Sequence, residues 1–280
     1  MEMFLNKEDY SYYTQDLFAK AAVSVLFDLI NTEEGDIFKK LFDTKKELLE
    51  KNQNNIVMKN AITFFISGLP SSKIKEVAKE KYQETIKKIN TVNKETEKNG
   101  AKKIVDGATV FVHSVNNNIC GLLLEASKTK NFFVNLLEHR PQALGNALSQ
   151  KLNEQKIKTN IFSDISLKDA VFSSDICFIG CEALINGKGA IAKTGSTLVA
   201  EISKKHNIPT YMCLPSLKYD HENFFNHSSY QPIKNTTDPI GKQYDEISDR
   251  LINGYVCEHG IFNQQNLLRE IKFYSGWLFM

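Results

Sequence analysis

One acid and two lysines are spaced so that a parallel sheet would bring them to a single crevice. Glu182 follows the apolar run 176–179 through Gly180-Cys181, and Lys218 follows the run 210–214 through Pro215-Ser216-Leu217. Lys193 immediately precedes Thr194-Gly195-Ser196, where a helix opens. In open α/β sheets ligands bind beyond the carboxyl ends of the strands, which is where these side chains fall. A carboxylate there can accept sugar hydroxyls, or act as a base if burial raises its pKa. The alternative for Glu182 is an ion pair with Lys193 or Lys218. A lysine beside a helix N-terminus attracts anions, and two lysines at one crevice suit a phosphorylated ligand.

Three further positions border the same place. Ser114 ends the run 109–112 through His113, where a nucleophile would sit. A serine needs an adjacent base, and no GxSxG elbow surrounds this one. Residues 114–118 read better as a helix opening, with the Ser114 hydroxyl and the Asn116 amide satisfying free N–H groups. His113 reads as a structural hydrogen-bonding histidine. Arg140, in Glu138-His139-Arg140-Pro141, offers a planar fork for a phosphate or carboxylate, or a salt bridge between neighbouring loops.

The elements that must position these residues alternate. Runs 109–112, 132–137, 159–162, 176–179 and 210–214 have the apolar texture of buried strands. Segments 116–127, 142–154, 167–172 and 196–205 read as the helices between them. That order predicts an α/β fold, a Rossmann-like parallel sheet with helices on both faces, over residues 106–280. Residues 1–105 read as an N-terminal helical domain. Its first helix carries a stripe of Leu17, Ala21, Val25 and Leu29, widened by Phe18, Ala22 and Leu26. Further helices are expected around 37–49, 57–66 and 73–103, the last capped by Ser71-Ser72. After a polar stretch to Gly241, helices are expected around 248–255 and 264–273, with the aromatic tail 273–279 docked onto the sheet or a partner.

Composition narrows the function classes. Thirty-five basic against 33 acidic side chains leave no overall polyanion-binding charge, so no direct nucleic-acid partner is expected. Five cysteines without a CxxC pair read as buried reduced thiols of a cytoplasmic protein. The six histidines have no metal-ligand spacing. Acids at Glu2, Glu8 and Asp9 argue against a signal peptide, and no apolar run approaches a membrane span.

The runs DGATVFVHSVNNNICGLLLEA (106–126), EHRPQALG (138–145), SSDICFIGCEALINGKGAIAKTGSTLVAEISKKHNIPTYMCLPSLKY (173–219) and YDEISDRLINGYVCEHGI (244–261) carry a family resemblance. They resemble the regulatory alpha, beta and delta subunits of eukaryotic translation initiation factor 2B, with MKNAITFF, EHRPQALG and GCEALINGKGAI most similar to delta versions. The same superfamily holds methylthioribose phosphate isomerase and ribose bisphosphate isomerase. The resemblance spans residues 56–272 and implies a helical domain followed by a Rossmann-like domain, with no cofactor.

What the isomerases use for chemistry is altered here. The resemblance places Ser114 where they carry a cysteine, Glu182 where they carry an aspartate, Ala192-Lys193 in place of an Asn-Lys pair and Leu217-Lys218 in place of Tyr-Lys. Tyr13-Thr14-Gln15 falls where an Arg-Gly-Ala loop holds phosphate, and has no arginine. A hydroxyl is a far weaker acid than a thiol. One extra methylene moves a carboxylate by enough to spoil a proton transfer. The resemblance therefore implies a non-catalytic regulatory subunit of the factor 2B exchange complex. Its partners would be the other subunits and initiation factor 2, whose phosphorylation it would sense. Ser114, Asn116, Arg140, Glu182, Lys193 and Lys218 would line a vestigial or regulatory pocket for a sugar phosphate or nucleotide. The alternatives are an isomerase-like enzyme or a ligand-binding sensor.

Overall fold

The computed structural model describes residues 14–70, 72–140, 143–186, 188–225 and 243–279. Four helices come first: α1 (Thr14–Thr32), α2 (Ile37–Lys51), α3 (Ile56–Ser67) and α4 (Ile74–Ala101). Asp36 caps α2 by accepting from the Lys39 N–H at 3.0 Å, and Asn55 caps α3 by accepting from the Met58 N–H at 2.8 Å. α3 is apolar on nearly every side and is buried almost throughout, so the other helices wrap it. The cap expected at Ser71-Ser72 is not formed by Ser72: α4 opens after Lys73 with no side-chain cap, and Ser71 lies outside the described residues.

The buried face of α1 differs from the expected one. Ala19, Ala22, Val23, Leu26 and Ile30 are buried, whereas Leu17, Phe18 and Val25 are 41–48% exposed. The helix is apolar nearly all round, so periodicity alone cannot choose its face. The small residues Ala19 and Ala22 lie on the side that meets α3, where close approach is rewarded.

The second part alternates as expected. β1 (Thr109–His113), α5 (Asn117–Ser127), β2 (Phe133–Leu137), α6 (Leu144–Glu154), β3 (Lys158–Phe162), α7 (Leu167–Phe172) and β4 (Ile176–Gly180) follow in order. After them come β5 (Ala183–Ile185), β6 (Ala190–Lys193), α8 (Ser196–Lys205), β7 (Thr210–Cys213) and β8 (Tyr219–Asp220). The chain ends with β9 (Tyr244–Ile247), β10 (Gly254–Cys257), β11 (Gly260–Phe262) and α9 (Gln264–Tyr274). The main sheet has the order β11-β10-β7-β4-β1-β2-β3 and is parallel except for the β10–β11 hairpin. The chain winds outward from β1 through β2 to β3, then returns to place β4 on the other side of β1. The β1–β4 gap is thus the topological switch point, the standard crevice for a ligand in this architecture.

Two features depart from the expected elements. The helix expected around 248–255 is a single 3-10 turn, Asp249–Leu251, followed by β10. Tyr255, Val256 and Cys257 are fully buried beside β7, and a short apolar run of that kind serves a central strand as well as a helix. In a second, four-stranded sheet, β8-β5-β6-β9, the glycine-punctuated stretch after β4 supplies β5 and β6, and β8 and β9 join from beyond β7. The tail does dock on the sheet side, where Leu278 and Phe279 pack against its core, and it also reaches α3, where Trp277 meets the Phe64 ring edge-on at 4.8 Å.

The helical layer and the sheet share α4. Its early residues Ile74, Ala78 and Ile89 lie in the helical core, and its last residue, Ala101, lies in a core with β1, β2 and α5. Leu217, between β7 and β8, returns the contact by packing into the helical core. The reassigned face of α1 is testable by denaturant unfolding. Leu26→Ala is expected to cost about 2–5 kcal/mol, and Leu17→Ala to stay within about 1 kcal/mol.

Candidate functional site

The crevice forms because two loops cross at the switch point with almost no space between them. A Cβ on Gly180 would stand 2.0 Å from the Ser114 carbonyl oxygen and 2.7 Å from Asn116 Nδ2, so only glycine fits. Ser114 itself has φ 51°, a left-handed conformation that costs a non-glycine residue energy and is found where surroundings enforce it. Its hydroxyl accepts from the Lys193 N–H at 3.0 Å. The helix cap therefore belongs to Asn116 alone. Asn116 Oδ1 accepts from the Asn118 and Ile119 N–H groups at 3.2 and 3.3 Å, while Nδ2 donates to the Cys181 carbonyl at 3.2 Å.

Glu182 is buried, but its partner is neither lysine. Gln15 Nε2, in the first turn of α1, donates to Glu182 Oε2 at 2.7 Å and to the Glu182 carbonyl oxygen at 3.2 Å. The ion pair considered for Glu182 is thus met only in part: the direct contact is an amide, because α1 lies across the crevice, while Lys193 interacts with the carboxylate electrostatically. Gln15 belongs to the segment expected to stand in for a phosphate loop; Tyr13 of that segment lies outside the described residues.

Lys193 ends β6 opposite Tyr244 of β9, with its ammonium 5.1 Å from the ring centroid. Burial works against its charge, yet the Glu182 carboxylate and the Tyr244 hydroxyl outweigh it and hold its pKa above the usual lysine value. Lys218 is 3% exposed and its Nζ donates to the Cys181 carbonyl at 2.7 Å. Among the described residues no carboxylate forms an ion pair with it. Arg140 is set apart from these groups: it is largely exposed and pairs with Glu138 at 2.9 Å. Five of the six expected residues share the crevice, and Arg140 does not.

Carboxylates that sequence reasoning missed occupy the N–H clusters around the strand ends. Asp245 Oδ2 accepts from the Gly195 N–H at 2.8 Å and the Thr197 N–H at 3.1 Å, filling the N-terminus of α8 that was expected to draw an anion. Asp164 accepts from the His139 and Arg140 N–H groups at 2.9 and 2.7 Å. Glu258 accepts from the Ser216 N–H at 3.0 Å and from the Ser216 hydroxyl. Each lies 24 to 50 residues from its partners, so no local spacing announces it.

The nucleophile candidates are quiet. Burial pushes the Cys177, Cys181 and Cys257 thiols up to about 12 and raises Cys213 as well, with the nearby Lys218 charge too weak to reverse the effect at Cys181 or Cys213. None of the five cysteines is in a disulfide and all are buried, as expected. Burial, with His139 5.2 Å away ring to ring, lowers His113 to about 3. Neutral His113 bonds through Nδ1 to the Ser196 hydroxyl at 3.0 Å, which in turn donates to the Lys193 carbonyl at 2.6 Å. No group of three or more metal-ligating side chains arranged to hold an ion occurs among the described residues.

Beside Gln15 lies a second polar layer. Asp16 Oδ2 accepts from Asn93 Nδ2 and Asn117 Nδ2, each at 3.0 Å, and Asn118 Nδ2 donates to Asn93 Oδ1 at 2.9 Å. Gln15 Oε1 and Asn117 Oδ1 are buried without a hydrogen-bond partner. Glu97, packed against Gly121 of α5, is raised to about 8 by burial, then by Asp16 and Glu125.

A doubly wound, mostly parallel sheet with a polar crevice at its switch point, covered by an N-terminal helical layer, defines a Rossmann-like class of α/β protein. Within it the chain belongs to the initiation factor 2 subunit family, whose profile it matches over residues 14–264. It is 28% identical over 135 residues to the translation initiation factor eIF2B subunit alpha of Dictyostelium discoideum, covering 48% of this chain and 42% of that protein. It is 20% identical over 281 residues to ribose 1,5-bisphosphate isomerase of Methanocaldococcus jannaschii, covering 93% and 89%. Its fold matches the translation initiation factor eIF-2B of Pyrococcus horikoshii OT3 with a TM-score of 0.81 at 17% identity, over 92% of this chain and 94% of that one. The tetrameric eIF2B-beta2-delta2 complex of C. thermophilum matches with a TM-score of 0.74 at 16% identity, over 94% and 89%. No helix among the described residues is long and apolar enough to cross a membrane.

Two measurements check this geometry. Gly180→Ala is expected to destabilise the chain by about 1–3 kcal/mol through backbone crowding at Ser114, read as a lowered denaturation midpoint. Glu97 makes stability fall with rising pH. Its native pKa of about 8 lies above the unfolded value, so the native chain holds a proton that the unfolded chain has released in between. The stability present at about pH 5 should drop by about 1–3 kcal/mol by pH 9, and Glu97→Gln should flatten that slope.

Proposed function

We propose that this chain is a non-catalytic regulatory subunit of a factor 2B-type guanine-nucleotide exchange assembly in the cytoplasm. In this reading it pairs with related subunits through its Rossmann-like part and responds through its helical part to phosphorylation of initiation factor 2. The single observation that carries the reading is that the crevice's reactive groups are bound to one another. The Glu182 carboxylate is held by Gln15, and the Ser114 hydroxyl accepts from the chain's own backbone. A base engaged by a neutral amide and a hydroxyl with no base beside it leave proton transfer without a donor–acceptor pair. Eukaryotic and archaeal relatives named as initiation-factor subunits support the assignment, as does the fold match to a tetramer of such subunits.

A second reading is favoured by the orphaned acceptors Gln15 Oε1 and Asn117 Oδ1, together with Lys193 and the buried Lys218. Buried acceptors without donors call for hydroxyl groups, and two ammonium groups call for an anion, so a phosphosugar would satisfy both. The isomerase relative makes turnover of such a ligand the competing outcome.

Affinity capture of the tagged full chain from its native cells should recover other initiation-factor 2B subunits. Their complete absence from the captured proteins would sink the subunit reading. Incubation with ribose 1,5-bisphosphate should give no isomerised product, and turnover that disappears in Glu182→Ala would establish the enzyme instead. If the crevice holds a phosphosugar without converting it, the compound should raise the melting temperature, and Lys193→Ala with Lys218→Ala should abolish the rise.

A further inference from the structure

Away from the crevice, an open cleft of about 790 Å³ lies between α2, the β5–β6 turn and the segment leaving β8. Ordinary small-molecule sites span about 300–1,000 Å³, so its size suits a compact ligand better than an extended chain. One wall is α2, which presents Phe42, Lys45, Lys46 and Glu50, and Lys188 enters from the β5–β6 turn. The opposite wall is Phe224 and Phe225.

That second wall is held in place from below. Asp220 is fully buried, and its Oδ2 accepts from the Phe225 N–H at 2.8 Å. Lys59 reaches Asp220 Oδ1 at 3.7 Å and Glu222 Oε2 at 2.5 Å, and its ammonium lies 5.3 Å from the Phe224 ring centroid. Phe225 is thus anchored by the buried Asp220, and Phe224 sits beside the Lys59 ammonium that bridges Asp220 and the exposed Glu222.

The rim is cationic and aromatic. Of its three lysines, only Lys46 has a carboxylate within ion-pair reach among the described residues, a loose contact to Glu50 at 3.9 Å. Burial lowers the pKa of Lys45; Glu222 opposes this and Lys59 adds to it, so the amine would gain from an anion beside it. Phe42 is 53% exposed, a cost in free energy unless something flat covers it. Three lysines against Glu50 leave the lining with an excess of positive charge, and Phe42 and Phe224 give a planar ring apolar surface to pack against.

We propose that this cleft is a second ligand site, taking a nucleoside phosphate: its phosphates lie among Lys45, Lys46 and Lys188, and its base lies against Phe42 and Phe224. The site is separate from the crevice and does not depend on how the crevice is read.

Isothermal titration of the full chain with ATP, without added metal, tests it. Saturable binding is expected. Lys46→Glu combined with Lys188→Glu should weaken it at least tenfold, and Phe42→Ser several-fold. All three are exposed positions where the fold should survive, which the thermal melt checks. Inorganic pyrophosphate and adenosine should each bind at least tenfold more weakly than ATP, since each supplies half of the contacts. Lys218→Gln, which removes the crevice's buried lysine and is checked by the same thermal melt, should leave the ATP affinity of the folded protein unchanged. Absence of saturable binding would overturn the proposal. So would affinity indifferent to the rim variants, loss of binding in Lys218→Gln, pyrophosphate binding as tightly as ATP, or an acidic phenylalanine-containing peptide displacing ATP at lower concentration.

Discussion

The carbonyl oxygen of Cys181 is the point on which the crevice closes. It accepts from Asn116 Nδ2 at 3.2 Å and from Lys218 Nζ at 2.7 Å, so the loops leaving β1, β4 and β7 meet at one atom. Three parallel strands diverge by twist, and nothing in the sheet's own ladder restrains the segments beyond their ends. A charge-assisted bond to a buried carbonyl supplies that restraint, and its strength comes from the low-dielectric surroundings that also isolate the lysine. The absence of a side chain on Gly180 lets the loops approach closely enough for the contact to exist.

From this point the structure builds outward in both directions. Asn116 caps α5, whose buried face with the end of α4 forms the core on one side of the sheet. The Lys218 turn carries Leu217 into the helical core, and Asn60 of α3 donates to the Leu217 and Tyr219 carbonyls at 2.9 Å each. The helical layer is thus fastened to the strand ends by polar bonds that place Gln15 over Glu182. Burial of α3 on all sides and the polar closure of the crevice are two consequences of one packing arrangement.

Much of this arrangement was legible in the chain. Runs 109–112, 176–179 and 210–214 became β1, β4 and β7, because four or five residues, mostly β-branched, aromatic or thiol and bounded by glycine, proline or helix openers, leave a buried strand few alternatives. The strand ends then placed Ser114, Glu182 and Lys218 together, and the opening of α8 put Lys193 beside them. Illegible were the elements whose stability is not local. Strands β5, β6, β8 and β9 are two to four residues long and exist only through one another. The α1 face is chosen by fit against α3, and Gln15 meets Glu182 across 167 residues. Asp164, Asp245 and Glu258 look in sequence like ordinary surface acids, and their roles depend on which N–H groups the fold leaves unpaired.

Those three carboxylates decide what the crevice can still attract. N–H clusters at a helix N-terminus and at strand-end turns are permanent anion receptors, and a chain that leaves them empty offers several competing places for phosphate. Here each is filled by a side chain already paid for in folding, which removes the backbone from the competition. The basic groups left to a ligand are Lys193, held charged by Glu182 and Tyr244, and Lys218, buried with its Nζ donating to the Cys181 carbonyl. Lys193 feels the Glu182 carboxylate electrostatically, and that carboxylate also accepts from Gln15. The crevice and the helical layer therefore meet at one carboxylate, which Gln15 of α1 holds by a hydrogen bond and Lys193 of β6 feels as a charge.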